Sequence, residues 1–185
     1  LKITDFGFAK IVPERTYTLC GTPDYLAPEV ISGAGHGKGV DWWTLGILLF
    51  EMLASYPPFY HEDPMKTYAK IMYGRVNYPK HFSKSSVDII RSFLHAKPTK
   101  RLGIIHGGIR LIQQHKWFEQ FDWDSLLNAH MEAPIVPHIQ NEHDRSNFET
   151  ANGAEEEEEE QKLKKQEKAD AESYVDDGSG WDEQF

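Results

Sequence analysis

The chain has 185 residues, 39% of them apolar and 26% charged, with a formal net charge of -9 and a single cysteine, Cys20. That length and apolar fraction support one real hydrophobic core and crowd out a second complete domain, while a lone cysteine excludes an intrachain disulfide framework and fits a reducing compartment. The longest apolar-biased run, Trp42 to Phe50, ends at Glu51 and is far shorter than the roughly 20 residues a membrane-spanning helix needs, so no membrane span is expected.

Residues 1–4 read as the end of a short strand running into Asp5-Phe6-Gly7. Because Leu1 already lies inside that pattern, the sequence reads as the back part of a longer chain. Residues 8–29 lack a long periodic segment and predict an extended loop closing on Ala27-Pro28-Glu29. Asp41 stands where an N-cap would stand, and the helix expected over 41–54 is apolar on nearly every face, the mark of a helix packed on all sides. Tyr56-Pro57-Pro58-Phe59 stops it, since proline removes an amide donor and clashes with the preceding turn. Further helices are expected over about 64–73, with Met65, Tyr68, Ala69 and Met72 on one face, over about 84–95 and over about 108–115. The fold class is therefore mainly α.

Charge divides the chain at about residue 130. Residues 1–130 carry 15 basic against 12 acidic side chains, a compact body, whereas residues 131–185 carry 5 against 17. That second part holds Pro134, Pro137, six glutamates from Glu155 to Glu160 and a lysine-rich stretch. Such a composition buries too little surface to offset the entropy of ordering, so an irregular, partly disordered acidic tail is expected. Pairs such as Glu158 and Lys162 stabilise a helix by only about 0.2–0.5 kcal/mol each.

Asp5, on a glycine turn at a strand end, has a carboxylate free to hold a hard divalent cation shared with phosphates, although an aspartate capping such a turn is an equally good reading of that triplet alone. After 19 intervening residues comes Ala27-Pro28-Glu29, the last part of Thr18-Leu19-Cys20-Gly21-Thr22-Pro23-Asp24-Tyr25-Leu26-Ala27-Pro28-Glu29. A phosphate on a hydroxyl of this loop adds about -1.5 to -2 charge and three acceptor oxygens, enough to order a segment beside basic residues. Thr18 is the candidate, with Thr16 and Thr22 as alternatives. Glu51, near the end of an otherwise apolar helix, either reaches solvent or awaits a cation. The nine histidines show no ligand spacing, and His115 before Lys116-Trp117-Phe118 reads as helix-end packing.

With Asp5-Phe6-Gly7, Thr18-Leu19-Cys20-Gly21-Thr22-Pro23, Asp41-Trp42-Trp43-Thr44-Leu45-Gly46, Lys100-Arg101-Leu102-Gly103 and His115-Lys116-Trp117-Phe118 in this order, residues 1–150 resemble the C-terminal lobe of AGC-group protein serine/threonine kinases of the cyclic-nucleotide-dependent branch. The resemblance implies the helical large lobe of the protein-kinase-like fold over 1–130 and an AGC-type tail over 131–185. It implies ATP and Mg2+ as cofactors, with Asp5 as metal ligand and Phe148 near the adenine. Gly7 would allow the loop to flip between states, Thr18 would be phosphorylated, and Thr22 would contact the catalytic-loop aspartate. Leu19, Pro23 and Leu26 would form an apolar pocket for the residue after the acceptor, Asp24 would meet a distal basic residue, and Glu51 would receive a substrate arginine. Glu29 would pair with Arg101, about 70 residues away, and Asp41 would hydrogen-bond catalytic-loop amides, with a simple helix cap as the bland alternative.

The implied partners are protein substrates with basic residues near Ser or Thr and a cyclic-nucleotide-binding regulatory domain or subunit, in the cytoplasm and also the nucleus. No nucleic-acid partner is expected, because the body is only weakly basic and the tail repels phosphate. Three departures stand out: Phe148-Glu149-Thr150-Ala151 lacks the second aromatic of the family's tail segment, Asp24 is one methylene shorter than the usual glutamate, and Trp181 and Phe185 are four apart instead of two phenylalanines three apart. The glycine-rich loop, strand lysine and His-Arg-Asp of the family are not in these 185 residues, so the chain alone is expected to be inactive. The competing reading is a catalytically inactive pseudokinase or scaffold that keeps the substrate groove and tail.

Overall fold

The computed structural model describes residues 3–141 and 144–147. The chain divides into two units, Leu1–Met131 and Glu132–Phe185.

The first unit is built from helices α1 (Pro28–Ile31), α2 (Gly39–Ala54), α3 (Pro64–Tyr73), α4 (Lys84–Phe93), α5 (Gly108–Gln113) and α6 (Trp123–Leu127), with three short 3-10 turns at Pro23–Tyr25, Pro98–Lys100 and Lys116–Phe118. No strand forms among the described residues. Ile3 and Thr4, expected at a strand end, are exposed and irregular, and no segment among the described residues pairs with their backbone groups. The only extended pairing among the described residues is one antiparallel bridge, in which Thr16 N–H donates to His36 O at 2.8 Å and His36 N–H to Thr16 O at 2.9 Å.

Helix α2 is the centre of this unit. It begins before the sequence expectation: its N-cap is Lys38, and Asp41 lies inside the first turn, exposed, where its charge faces the positive helix end. The capping reading of Asp41 is thereby corrected. One side of α2 sends Trp43 and Ile47 into a core with Leu26, Ala27, Val30, Phe59 and Ile71. Another side sends Phe50 into a core with Ile89, Ile90, Phe93, Leu102 and Ile112. Between them, Gly46 lets α4 approach closely, since a Cβ there would stand 2.7 Å from Phe93 Cβ. Ser55, left-handed at φ 67, ends the helix just before Pro57 and Pro58.

The later helices start on recognisable caps. Asp63 accepts from Met65 N–H before α3, and Ser83 from Ser86 N–H before α4, each satisfying an amide the helix leaves free. The buried face of α3 differs from the one expected. Thr67 and Ile71 are buried and Tyr68 lies at the margin, while Met65 is 70% and Met72 51% exposed. Thr67 tolerates burial because its hydroxyl donates to His61 O at 3.2 Å. Helices α4 and α5 end two residues earlier than expected, since His95 and His115 each fold their ring back onto the amide two residues on. Helix α6, which periodicity did not single out, is capped by Asp122, whose carboxyl the Ser125 amide and hydroxyl hold below the usual range.

Within the second unit the described residues form no helix or strand. Asp144 accepts from Gln140 N–H at 2.7 Å and from Ser146 N–H at 2.8 Å, which keeps its carboxyl below the ordinary range and fixes a turn. Asn147 closes that turn by donating to His138 O at 2.8 Å. Phe148, the glutamate run, Trp181 and Phe185 lie outside the described residues.

Candidate functional site

Pro28 opens α1 with its fixed φ, which sets Glu29 in the first turn, pointing into the body. There it meets Arg101, which follows the 3-10 turn Pro98–Lys100. Arg101 Nη1 donates to Glu29 Oε1 at 2.6 Å and Nη2 to Oε2 at 2.9 Å, a fork-to-fork pair in which both side chains are buried. Two further donors are used: Nη1 also reaches Gly39 O at 2.8 Å and Nε reaches His95 O at 3.2 Å. The guanidinium also lies over the Trp43 ring, 5.3 Å from its centre. One side chain thus ties the end of the long loop to the start of α2 and to the turn after α4. The resemblance implied the pairing of Glu29 with Arg101; Gly39, His95 and Trp43 were not singled out, since their contributions are two backbone carbonyls and a ring face with no motif to announce them.

A second junction lies just before Leu26. The Tyr25 hydroxyl donates to Glu51 Oε2, joining the 3-10 turn Pro23–Tyr25 to the last turn of α2. Burial, then the bond to Glu51 and its charge, and lastly Asp24, push the Tyr25 phenol up to about 12. Asp24 is half-buried beside it, and its Oδ1 has no hydrogen-bond partner. Two carboxylates thus stand near a phenol that stays protonated, a concentration of negative charge that favours a cationic side chain nearby. Tyr25 was missed in the sequence, where nothing local points from it to a residue 26 positions on. The residues read as an apolar pocket are not equivalent: Leu19 is 58% exposed and Pro23 half-buried, whereas Leu26 belongs to the core. Thr22 is exposed immediately before the turn and makes no side-chain cap.

Asp5 takes a left-handed φ of 59 and is exposed, with Oδ1 accepting from Gly7 N–H at 3.4 Å. A Cβ on Gly7 would stand 3.3 Å from that same oxygen, so the small residue leaves the carboxylate room. Among the described residues no three His, Cys, Asp or Glu side chains gather as a metal site, so Asp5 offers one oxygen ligand and not a cage. Thr18 is exposed, and Lys10 Nζ donates to its hydroxyl at 3.4 Å, placing one cation beside the candidate phosphate position. His115 accepts from Trp117 N–H and meets Asp88 Oδ2 at 3.2 Å.

Residues 1–118 match the protein kinase domain family. The chain is 48% identical over 150 residues to the human protein named cAMP-dependent protein kinase catalytic subunit PRKX, covering 81% of this chain and 42% of that one. It is 52% identical over 149 residues to the cAMP-dependent protein kinase catalytic subunit of Dictyostelium discoideum, covering 80% of this chain and 23% of that protein. Against the cAMP-dependent protein kinase catalytic subunit of Schizosaccharomyces pombe the identity is 53% over 141 residues, 76% of this chain and 28% of that protein. The chain therefore spans well under half the length of each of these relatives.

Proposed function

The chain belongs to the protein kinase family, and from that premise we propose that its intact parent is a serine/threonine kinase of cyclic-nucleotide signalling, moving the ATP γ-phosphate onto Ser or Thr of arginine-containing proteins in the cytoplasm and nucleus. The observation that carries this reading is the buried, bidentate Glu29–Arg101 pair, which anchors one end of a loop whose other end bears Asp5. Phosphoryl transfer rests almost wholly on positioning and charge stabilisation, so a loop fixed at one end and adjustable at the other is what this chemistry requires.

Magnesium-ATP, when bound, supplies the phosphoryl group and neutralises part of its charge. Asp5 fits a hard cation: its carboxylate is exposed, carries only one long hydrogen bond, and would serve as one oxygen ligand among others contributed by phosphates. Thr18, with Lys10 beside it, becomes an anionic ordering point once phosphorylated. Asp24 and Glu51 hold a substrate guanidinium, with Tyr25 fixing one oxygen of Glu51. Thr22 and Leu19, both exposed, face the acceptor side of the loop in this reading. The regulatory partner is a cyclic-nucleotide-binding domain or subunit, in keeping with the names of the relatives.

The test is transfer of phosphate by the full-length parent to an arginine-rich serine peptide, with and without each cyclic nucleotide. Asp5→Asn is expected to reduce kcat by about 100-fold or more, the scale of losing a charge-stabilising group. Thr18→Ala is expected to lower the rate without abolishing nucleotide binding. Full turnover by Asp5→Asn overturns the metal-ligand assignment.

A further inference from the structure

The Glu29 end of the long loop is held through Arg101, and its upstream side is held by a tie of a different kind. Residues 33–37 join α1 to α2, and residues 14–17 lie along them. Thr16 and His36 exchange both backbone hydrogen bonds, at 2.8 and 2.9 Å, and Arg15 Nη1 donates to Ala34 O at 3.4 Å. Between Ala34 and His36, Gly35 is left-handed at φ 81, and a Cβ there would stand 2.8 Å from Tyr17 Cε1 and 3.2 Å from Arg15 Cδ. The Tyr17 ring therefore rests on a bare Cα, a closeness only glycine allows. Tyr17 is 69% exposed, so this contact belongs to the surface and to neither core. Gly33 supplies the contrast: it is also left-handed, at φ 65, but a Cβ there would meet nothing within 4 Å.

Thr18 is the first residue past Tyr17, and Lys10 Nζ donates to its hydroxyl at 3.4 Å. We infer that the Gly35 turn is a second anchor of the loop and that Gly35 is a positioning residue for Thr18: by admitting the Tyr17 ring it sets the register of residues 14–17 and delivers the Thr18 hydroxyl to Lys10. A single antiparallel bridge is marginal by itself, so the fit of Tyr17 on Gly35 decides whether it closes. Both anchors stand on the same part of the fold. Glu29 lies in the first turn of α1, Gly35 in the connection from α1 to α2, and Gly39, the first residue of α2, gives its carbonyl to Arg101. The stretch 17–28, with Thr18, Thr22 and Tyr25, is thus closed onto that region from both sides. Without the upstream tie, Thr18 is restrained only by one long side-chain bond and by the anchor at Glu29.

The tie exists independently of any catalytic activity; only its effect on phosphate transfer rests on the kinase reading. The experiment compares Gly35→Ala with Gly33→Ala, which imposes left-handed strain without the clash, and repeats Gly35→Ala in a Tyr17→Ala background, which removes the ring. Amide hydrogen exchange of the 185-residue chain, followed by NMR, reads opening of the bridge at the Thr16 and His36 N–H groups. Gly35→Ala is expected to open both amides roughly tenfold or more beyond Gly33→Ala, the scale of overpacking, and in the Tyr17→Ala background to cost no more than Gly33→Ala does. A nuclear Overhauser contact between the Lys10 side chain and the Thr18 methyl is expected in the wild type, lost in Gly35→Ala and regained in the double variant. If Gly35→Ala and Gly33→Ala open alike, if removing the Tyr17 ring restores nothing, or if the Lys10–Thr18 contact survives an open bridge, the inference is overturned. Should Gly35→Ala not fold, recovery of folding in the double variant supports the tie and continued failure overturns it. In the full-length parent phosphorylated on Thr18, Gly35→Ala is expected to lower kcat on an arginine-rich serine peptide by roughly tenfold with KM little changed, since Asp24 and Glu51 are not held by this tie. A parent that transfers no phosphate with Gly35 intact, yet shows the exchange pattern, removes the kinase reading and leaves the positioning role standing.

Discussion

Arg101 uses all three nitrogens of its guanidinium: two on Glu29, one of them also on Gly39 O, the third on His95 O, with its face on Trp43. Lysine cannot replace it, since an ammonium has no planar fork and would leave one Glu29 oxygen and a backbone carbonyl unpaired in a dry site. Glu29→Gln is expected to destabilise the protein by about 3–5 kcal/mol, because it leaves the buried Arg101 charge uncompensated, and Arg101→Lys by less, because the positive charge stays. Denaturant unfolding checks this, and a loss below about 1 kcal/mol would reduce the pair to an exposed one in energetic terms. Tyr25 gives a second residue-scale prediction. Its phenol is raised to about 12 in the folded protein, chiefly by burial and then by Glu51, while an unfolded chain releases that proton near 10. Between those values the unfolded state holds fewer protons, so Tyr25's contribution to stability is present in full below about pH 10 and is lost as pH rises toward about 12. Ultraviolet titration should find Tyr25 and the buried Tyr78 late among the tyrosines, and Glu51→Gln should bring only Tyr25 part of the way back.

At the scale of elements, two glycines decide how closely helices and turns approach. Gly46 brings α2 against α4, where a Cβ would meet Phe93 at 2.7 Å and Leu94 at 2.9 Å. Gly46→Ala should cost about 1–3 kcal/mol, the usual penalty of overpacking. Gly103 is harder to replace, because it holds a φ of 92 and a Cβ would fall 2.4 Å from the Trp42 ring. Gly103→Ala combines that clash with backbone strain and should exceed the loss at Gly46, as thermal melts of the two variants would reveal. Caps show why some boundaries were readable: Pro64 follows the capping Asp63 at the first helical position, where proline's missing amide costs nothing, and the stop at Pro57 and Pro58 is a property of two adjacent residues. The face of α3 was not, because Thr67 displaces Met65 and Met72 from the interior only once His61 O is there to take its hydroxyl.

For the whole molecule, charge is segregated along the chain. The weakly basic helical unit holds the loop, both cores and both acidic positions of the proposed substrate site, Asp24 and Glu51. The purified 185-residue chain is expected to bind magnesium weakly and to show no ATP-dependent turnover, since Asp5 supplies one ligand and no catalytic aspartate of the His-Arg-Asp type is in this sequence. A radiolabel transfer assay with the chain alone checks this; robust turnover would mean that the phosphate-transfer machinery had been misassigned.

The helical class, the central apolar helix, the loop ending at Glu29 and the candidate residues within it followed from the sequence alone, because helix periodicity, proline stops and short motifs are written in neighbouring residues. The partner of Tyr25, the four-way use of Arg101 and the service of His95 beneath it were decided only by tertiary structure. Those interactions run to carboxylates, backbone carbonyls and a ring face brought within reach across 6 to 72 positions by the packing of α1, α2 and α4. A linear pattern identifies which side chains carry charge; only the folded backbone determines which charge each one meets.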